Sequence, residues 1–91
     1  MRNKFIDPFT INIPYIDLHG LDRDIARISI IDFINDNYKM KNNNFYIIHG
    51  NGSGILRKTV IDVLQKDKRV IQYKVGNPNI GCTNVWLKID K

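Results

Sequence analysis

The sequence predicts an α/β fold, a two-layer α+β sandwich with the element order βαβαββ. Two observations carry this reading. Apolar runs too short for helices alternate with two longer stretches whose apolar residues recur every three or four positions, and the first two runs each end directly in His-Gly. Alternation of this kind builds a sheet with helices packed on it. At 91 residues, with 43% apolar and 25% charged content, the chain is expected to form one ordinary globular domain.

Residues 1–14 carry Pro8 and Pro14 and predict an irregular arm, leaving residues 15–91 as the domain. Residues 15–18 form the first strand, closed by the His19-Gly20 turn. Asp22 follows as an N-cap, since its carboxylate can accept from unpaired N–H groups of a first helical turn. The helix it opens places Ala26, Ile30, Phe33, Ile34 and Asn37 on one face. Residues 40–44 are polar and break that period. Phe45 to Ile48 is the second strand. A glycine-rich stretch then leads into a second helix over residues 55–66, with Leu56, Val60, Val63 and Leu64 as its buried face. Residues 70–75 form the third strand, and 76–81, with Pro78, a loop. In the last strand Thr83, Val85, Leu87 and Ile89 alternate with Cys82, Asn84, Trp86 and Lys88.

Composition narrows the function classes. No apolar stretch is long enough to span a bilayer. The N-terminus lacks the apolar region and cleavage site of a signal peptide. One cysteine, Cys82, excludes an internal disulfide and a multi-thiolate metal site. A cytoplasmic protein without membrane association is the expectation. The formal charge of +5 and pI near 9.5 favour polyanionic partners, because neutralised phosphates release counterions.

The only two histidines occupy matching contexts, Ile16-Asp17-Leu18-His19-Gly20 and Ile47-Ile48-His49-Gly50. Side chains alternate along a strand, so Asp17 and His19 share a face. Parallel neighbouring strands would bring both imidazoles to the carboxyl edge of the sheet, where open α/β folds bind ligands. A carboxylate beside an imidazole can fix its tautomer and raise its basicity, as acid–base catalysis requires. The plain alternative is that each His-Gly merely ends a strand.

The loop Gly50-Asn51-Gly52-Ser53-Gly54 combines backbone freedom with a helix N-terminus, an arrangement suited to an anion. Arg57 and Lys58 add positive charge. The dinucleotide fingerprint fails because Ile55 stands where a third glycine or alanine is needed, and a Walker A loop fails for lack of Gly-Lys-Ser/Thr at its spacing. A phosphate of a polynucleotide backbone fits better. A loop that only turns the chain is the alternative.

Three segments resemble the Smr (small MutS-related) domain family. Ile16-Asp17-Leu18-His19-Gly20 is similar to its Leu-Asp-Leu-His-Gly signature. His49-Gly50-Asn51-Gly52-Ser53-Gly54, continued by Ile55-Leu56-Arg57, resembles its His-Gly-x-Gly-x-Gly signature. Gly81-Cys82-Thr83-Asn84-Val85-Trp86-Leu87 resembles its closing strand. The similarity runs over about residues 15 to 90, as in a stand-alone member. It implies a four-stranded mixed sheet with two helices on one face, like the C-terminal domain of translation initiation factor three. It also implies a nicking endonuclease acting on DNA or RNA, with ribosome association known in the family. Asp17 and His19 match the residues tied to cleavage, and His49, Gly50, Gly52 and Gly54 match the second motif.

On this reading the catalytic residues are Asp17, His19 and His49, and the phosphate is bound by Gly50, Asn51, Gly52, Ser53, Gly54, Arg57 and Lys58. An RNA 2′-OH can attack without a metal. DNA cleavage needs water, for which a divalent ion held partly by Asp17 is an option, and the residues leave that choice open. A non-catalytic nucleic-acid- or ribosome-binding module is the main rival, and a protein-binding adaptor a third. Trp86 could stack on a base, although packing under an arm carrying Phe5 and Phe9 is the favoured expectation. Tyr15, Tyr46 and Tyr73 are read as packing residues.

Overall fold

The computed structural model of the chain describes residues 13–52 and 54–89. The arm expected over residues 1–14, with Phe5 and Phe9, falls outside them apart from Ile13 and Pro14, as does Ser53. The elements are β1 (Tyr15–Asp17), α1 (Arg23–Lys39), β2 (Asn44–Ile48), α2 (Ile55–Lys66), β3 (Val70–Val75) and β4 (Cys82–Leu87). This is the expected βαβαββ order. The last strand stops at Leu87, short of the alternation that continues to Ile89.

The four strands form one mixed sheet in the order β1-β2-β4-β3. β1 pairs parallel with β2, and β4 runs antiparallel to both β2 and β3. Strands β1, β2 and β3 therefore share a direction and bring their carboxyl ends to one rim. The start of β4 lies at that same rim. Three connections meet there: the turn after β1, the glycine loop after β2, and the 76–81 loop between β3 and β4.

Both helices cover one face of the sheet. Ala26, Ile30 and Ile34 from α1, and Val60, Val63 and Leu64 from α2, close over Leu18, Phe45, Ile47, Val85 and Leu87. Phe33 is only partly buried and meets Phe45 edge-to-face, with ring centroids 5.1 Å apart. On α2 the fully buried set is Thr59, Val60, Val63 and Leu64, so Thr59 joins the expected face while Leu56 packs against the core only partly buried. The Thr59 hydroxyl stays satisfied by donating to the Ile55 carbonyl at 2.9 Å. Leu56 also lines the cleft at the rim.

Local chemistry sets the helix ends. Asp22 caps α1, accepting from the Ile25 N–H at 2.9 Å. At the other end the buried Asn37 accepts from Asn42 Nδ2 at 2.7 Å and donates to the Phe33 carbonyl at 2.8 Å. That bond holds Asn42, past the helix end, against its last turns. Arg69 forks onto Asp67 and lies over the Tyr38 ring at 5.2 Å, tying the α2–β3 turn to α1. No helix among the described residues is long and apolar enough to cross a membrane.

Candidate nucleic-acid cleavage site

The rim of the sheet holds a cleft of about 340 Å³ lined by His19, Gly20, His49, Leu56 and the glycine loop at Gly50, Asn51, Gly52 and Gly54. Both imidazoles and the loop thus meet at one place. Larger depressions lie between the helices, lined by Arg23, Arg27, Lys58 and Asp62 among others, but contain neither histidine.

His19 stands exposed at the end of β1. Asp17 acts on it through the main chain, its Oδ1 accepting from the His19 N–H at 2.9 Å. The sequence suggested a carboxylate–imidazole bond. The bond formed instead is a short-range turn that fixes where the His19 backbone leaves the sheet. Asp17 lies on the sheet face away from the helices, in the row Asp17–Ile48–Cys82, where the burial of Cys82, and next the Asp17 charge, push the Cys82 thiol up.

His49 is held differently. It is 4% exposed, with Nδ1 2.9 Å from the Gly50 carbonyl and Nε2 2.8 Å from Thr83 Oγ1. A carbonyl only accepts, so the proton sits on Nδ1 and Nε2 accepts from the Thr83 hydroxyl. Burial holds its pKa below the ordinary 6.5, and the nearby Arg57 charge lowers it further. His49 is therefore a neutral imidazole pinning the loop to β4. The Gly81 carbonyl completes the clasp by accepting from the N–H groups of His49 at 2.9 Å and Gly50 at 3.0 Å.

Two glycines need their freedom. Gly50 has φ +74° and Gly54 φ +89°, conformations that a side chain would strain. Gly54 is also the N-cap residue of α2, and with no side chain it leaves the first turn without a side-chain cap. Arg57 reaches back so that its Nη2 lies 3.6 Å from where a Gly54 Cβ would stand. Lys58 lines the groove with Arg23 and Arg27, while Arg57, though not a lining residue of the cleft, is near enough for its charge to act on His49.

Sequence reasoning missed Thr83 and Gly81 as site residues, although both lie in the third motif segment. The pairing of β4 with β2 was the missing information. Among the described residues, no three His, Cys, Asp or Glu side chains come together as a metal site. Both His49 nitrogens are bonded within the protein, and one Asp17 oxygen accepts from the main chain.

The comparisons with known proteins converge on one family. The Smr domain model matches residues 16–88, which include all three motif segments. The chain belongs to the Smr domain family. "Endonuclease MutS2" of Thermotoga maritima is 39% identical over 72 residues, covering 79% of this chain and 10% of the relative. "Endonuclease MutS2" of Clostridium perfringens is 33% identical over 78 residues, covering 86% of this chain and 10% of the relative. This Smr chain thus spans about a tenth of the length of those curated relatives. The crystal structure of the Smr domain of Thermus thermophilus MutS2 superimposes with a TM-score of 0.79 at 26% identity, covering 84% of this chain and 99% of that one. YdaL, a stand-alone small MutS-related protein from Escherichia coli, shares the fold with a TM-score of 0.77 at 24% identity, covering 81% of this chain and 63% of that one.

Proposed function

We propose that this Smr domain is an endonuclease module that binds a polynucleotide at the rim cleft and cleaves a phosphodiester bond there. The observation that carries the reading is the meeting of His19, His49 and the glycine loop around one cleft. The similarity to proteins named endonuclease MutS2 supports the same class of chemistry.

The scissile phosphate rests on the loop of residues 50–54, with Arg57 countering charge that develops in the transition state. His19, exposed at the rim, moves the proton. It takes it from the attacking hydroxyl or gives it to the leaving oxygen. Asp17 serves by fixing the His19 backbone. His49 shapes the loop as a neutral imidazole, and the complementary proton-transfer role expected for it requires its Nε2 to leave Thr83. In RNA the 2′-oxygen attacks phosphorus as the bond to the 5′-oxygen breaks. In DNA water must attack.

The committed state of His49 gives weight to the rival reading, a module that binds nucleic acid, or a ribosome, without cutting. Supercoiled DNA, branched DNA and RNA, each with and without chelator, separate the two when offered to wild type and His19→Ala. Cleavage of at least one substrate by wild type, lost in the variant, is the expected result. Binding with no cleavage by stringently purified wild type selects the rival.

A further inference from the structure

The sheet has a second face that the cleft does not use. Because Leu18, Phe45, Ile47, Val85 and Leu87 point to the helices, Tyr15, Asp17, Tyr46, Asn84 and Trp86 stand on the opposite side. The pairing register arranges them in rows. Tyr15, Tyr46, Asn84 and Lys74 form one row across all four strands, and Asn44, Trp86 and Gln72 form the next. Tyr15 is 46% exposed, Gln72 and Lys74 are exposed, and Tyr46 and Trp86 are half-buried. Asn44 braces the floor between the rows, donating to Asn84 Oδ1 at 2.7 Å and to the Val85 carbonyl at 3.0 Å.

We infer that this face is a stacking platform for a single-stranded polynucleotide, RNA or DNA, leading into the rim cleft. The inference rests on the cleavage reading above and gives its substrate a strandedness. Three kinds of group argue for it. Tyr15, Tyr46 and Trp86 offer ring faces for bases, Gln72 offers an amide for base edges, and Lys74 offers a cation for phosphate. Asp17 is the only acidic residue on this face among the described residues, and it stands at the rim end, outside the two rows that carry the rings and Lys74. Aromatic rings on a sheet face suit unstacked bases, which a duplex keeps inside. Continuity with the cleft is built in, since Tyr15 opens β1 and His19 stands in the turn that follows it, at most about 13 Å away at roughly 3.3 Å per extended residue.

Trp86 is the only tryptophan in the chain and reports directly on this surface. The test titrates full-length protein with fluorescently labelled oligo(U) and oligo(dT), following anisotropy for binding and Trp86 emission for stacking. Expected are quenching of Trp86 that saturates with binding, and affinity about tenfold weaker in Tyr15→Ala, whose fold is checked by circular dichroism. Tyr15 is an exposed edge residue, so this variant keeps the core intact where Trp86→Ala risks losing it. Binding with Trp86 emission unchanged, or with Tyr15→Ala at wild-type affinity, overturns the platform and leaves the cleft reading standing. No binding of either oligonucleotide, with branched and supercoiled DNA also unbound, overturns both.

Discussion

His49 shows how much a histidine's surroundings decide its role. The two imidazoles share a sequence context, yet one is exposed and the other is buried with both nitrogens bonded. Thr83→Val removes the donor to Nε2 and leaves a buried acceptor unsatisfied. Loss of about 1–3 kcal/mol is expected in urea unfolding, with Thr83→Ser restoring most of it. The lowered pKa has a sign that can be checked. The unfolded chain takes up a proton near pH 6.5 that folded His49 refuses, so stability is full above 6.5 and falls as pH drops toward the lower folded value. Urea unfolding across pH 5 to 8 should show that decline, and His49→Gln should flatten it. A profile unchanged by the substitution would mean that His49 is not the group responsible.

Among the elements, the glycine loop and the α1 cap were both readable from sequence, for different reasons. Asp22 as N-cap follows from local chemistry alone, and Asp22→Ala is expected to cost about 1 kcal/mol, a drop in Tm of about 4–8 °C by calorimetry. Gly50→Ala imposes a side chain on a left-handed residue, costing about 1–3 kcal/mol. Substrate affinity should fall in the same variant if the loop conformation is what holds phosphate. What sequence could not show is anything set by pairing across the chain. The bond from Thr83 to His49 spans 34 positions and depends on β4 entering between β2 and β3. Lys58 was expected beside Arg57 at the loop because the two are adjacent in sequence. Helical geometry turns neighbours about 100° apart and sends Lys58 into the groove instead. That Asp17 lies beside His19 was legible, but that it bonds the main chain there instead of the ring was not.

At the scale of the molecule, three parallel-running strands and the start of β4 gather the His19 turn, the glycine loop and the 76–81 loop at one rim. A basic chain with such a rim should bind polynucleotide with a steep salt dependence, weakening about tenfold or more between about 50 and 200 mM salt. Affinity indifferent to salt would point to a protein-binding adaptor. Proton transfer through His19 at the rim cleft is tested by single-turnover cleavage at saturating protein, where affinity does not interfere. His19→Ala should cleave about 10²–10⁴-fold more slowly than wild type while anisotropy shows binding within about twofold. Cleavage by the variant at the wild-type rate would contradict the account.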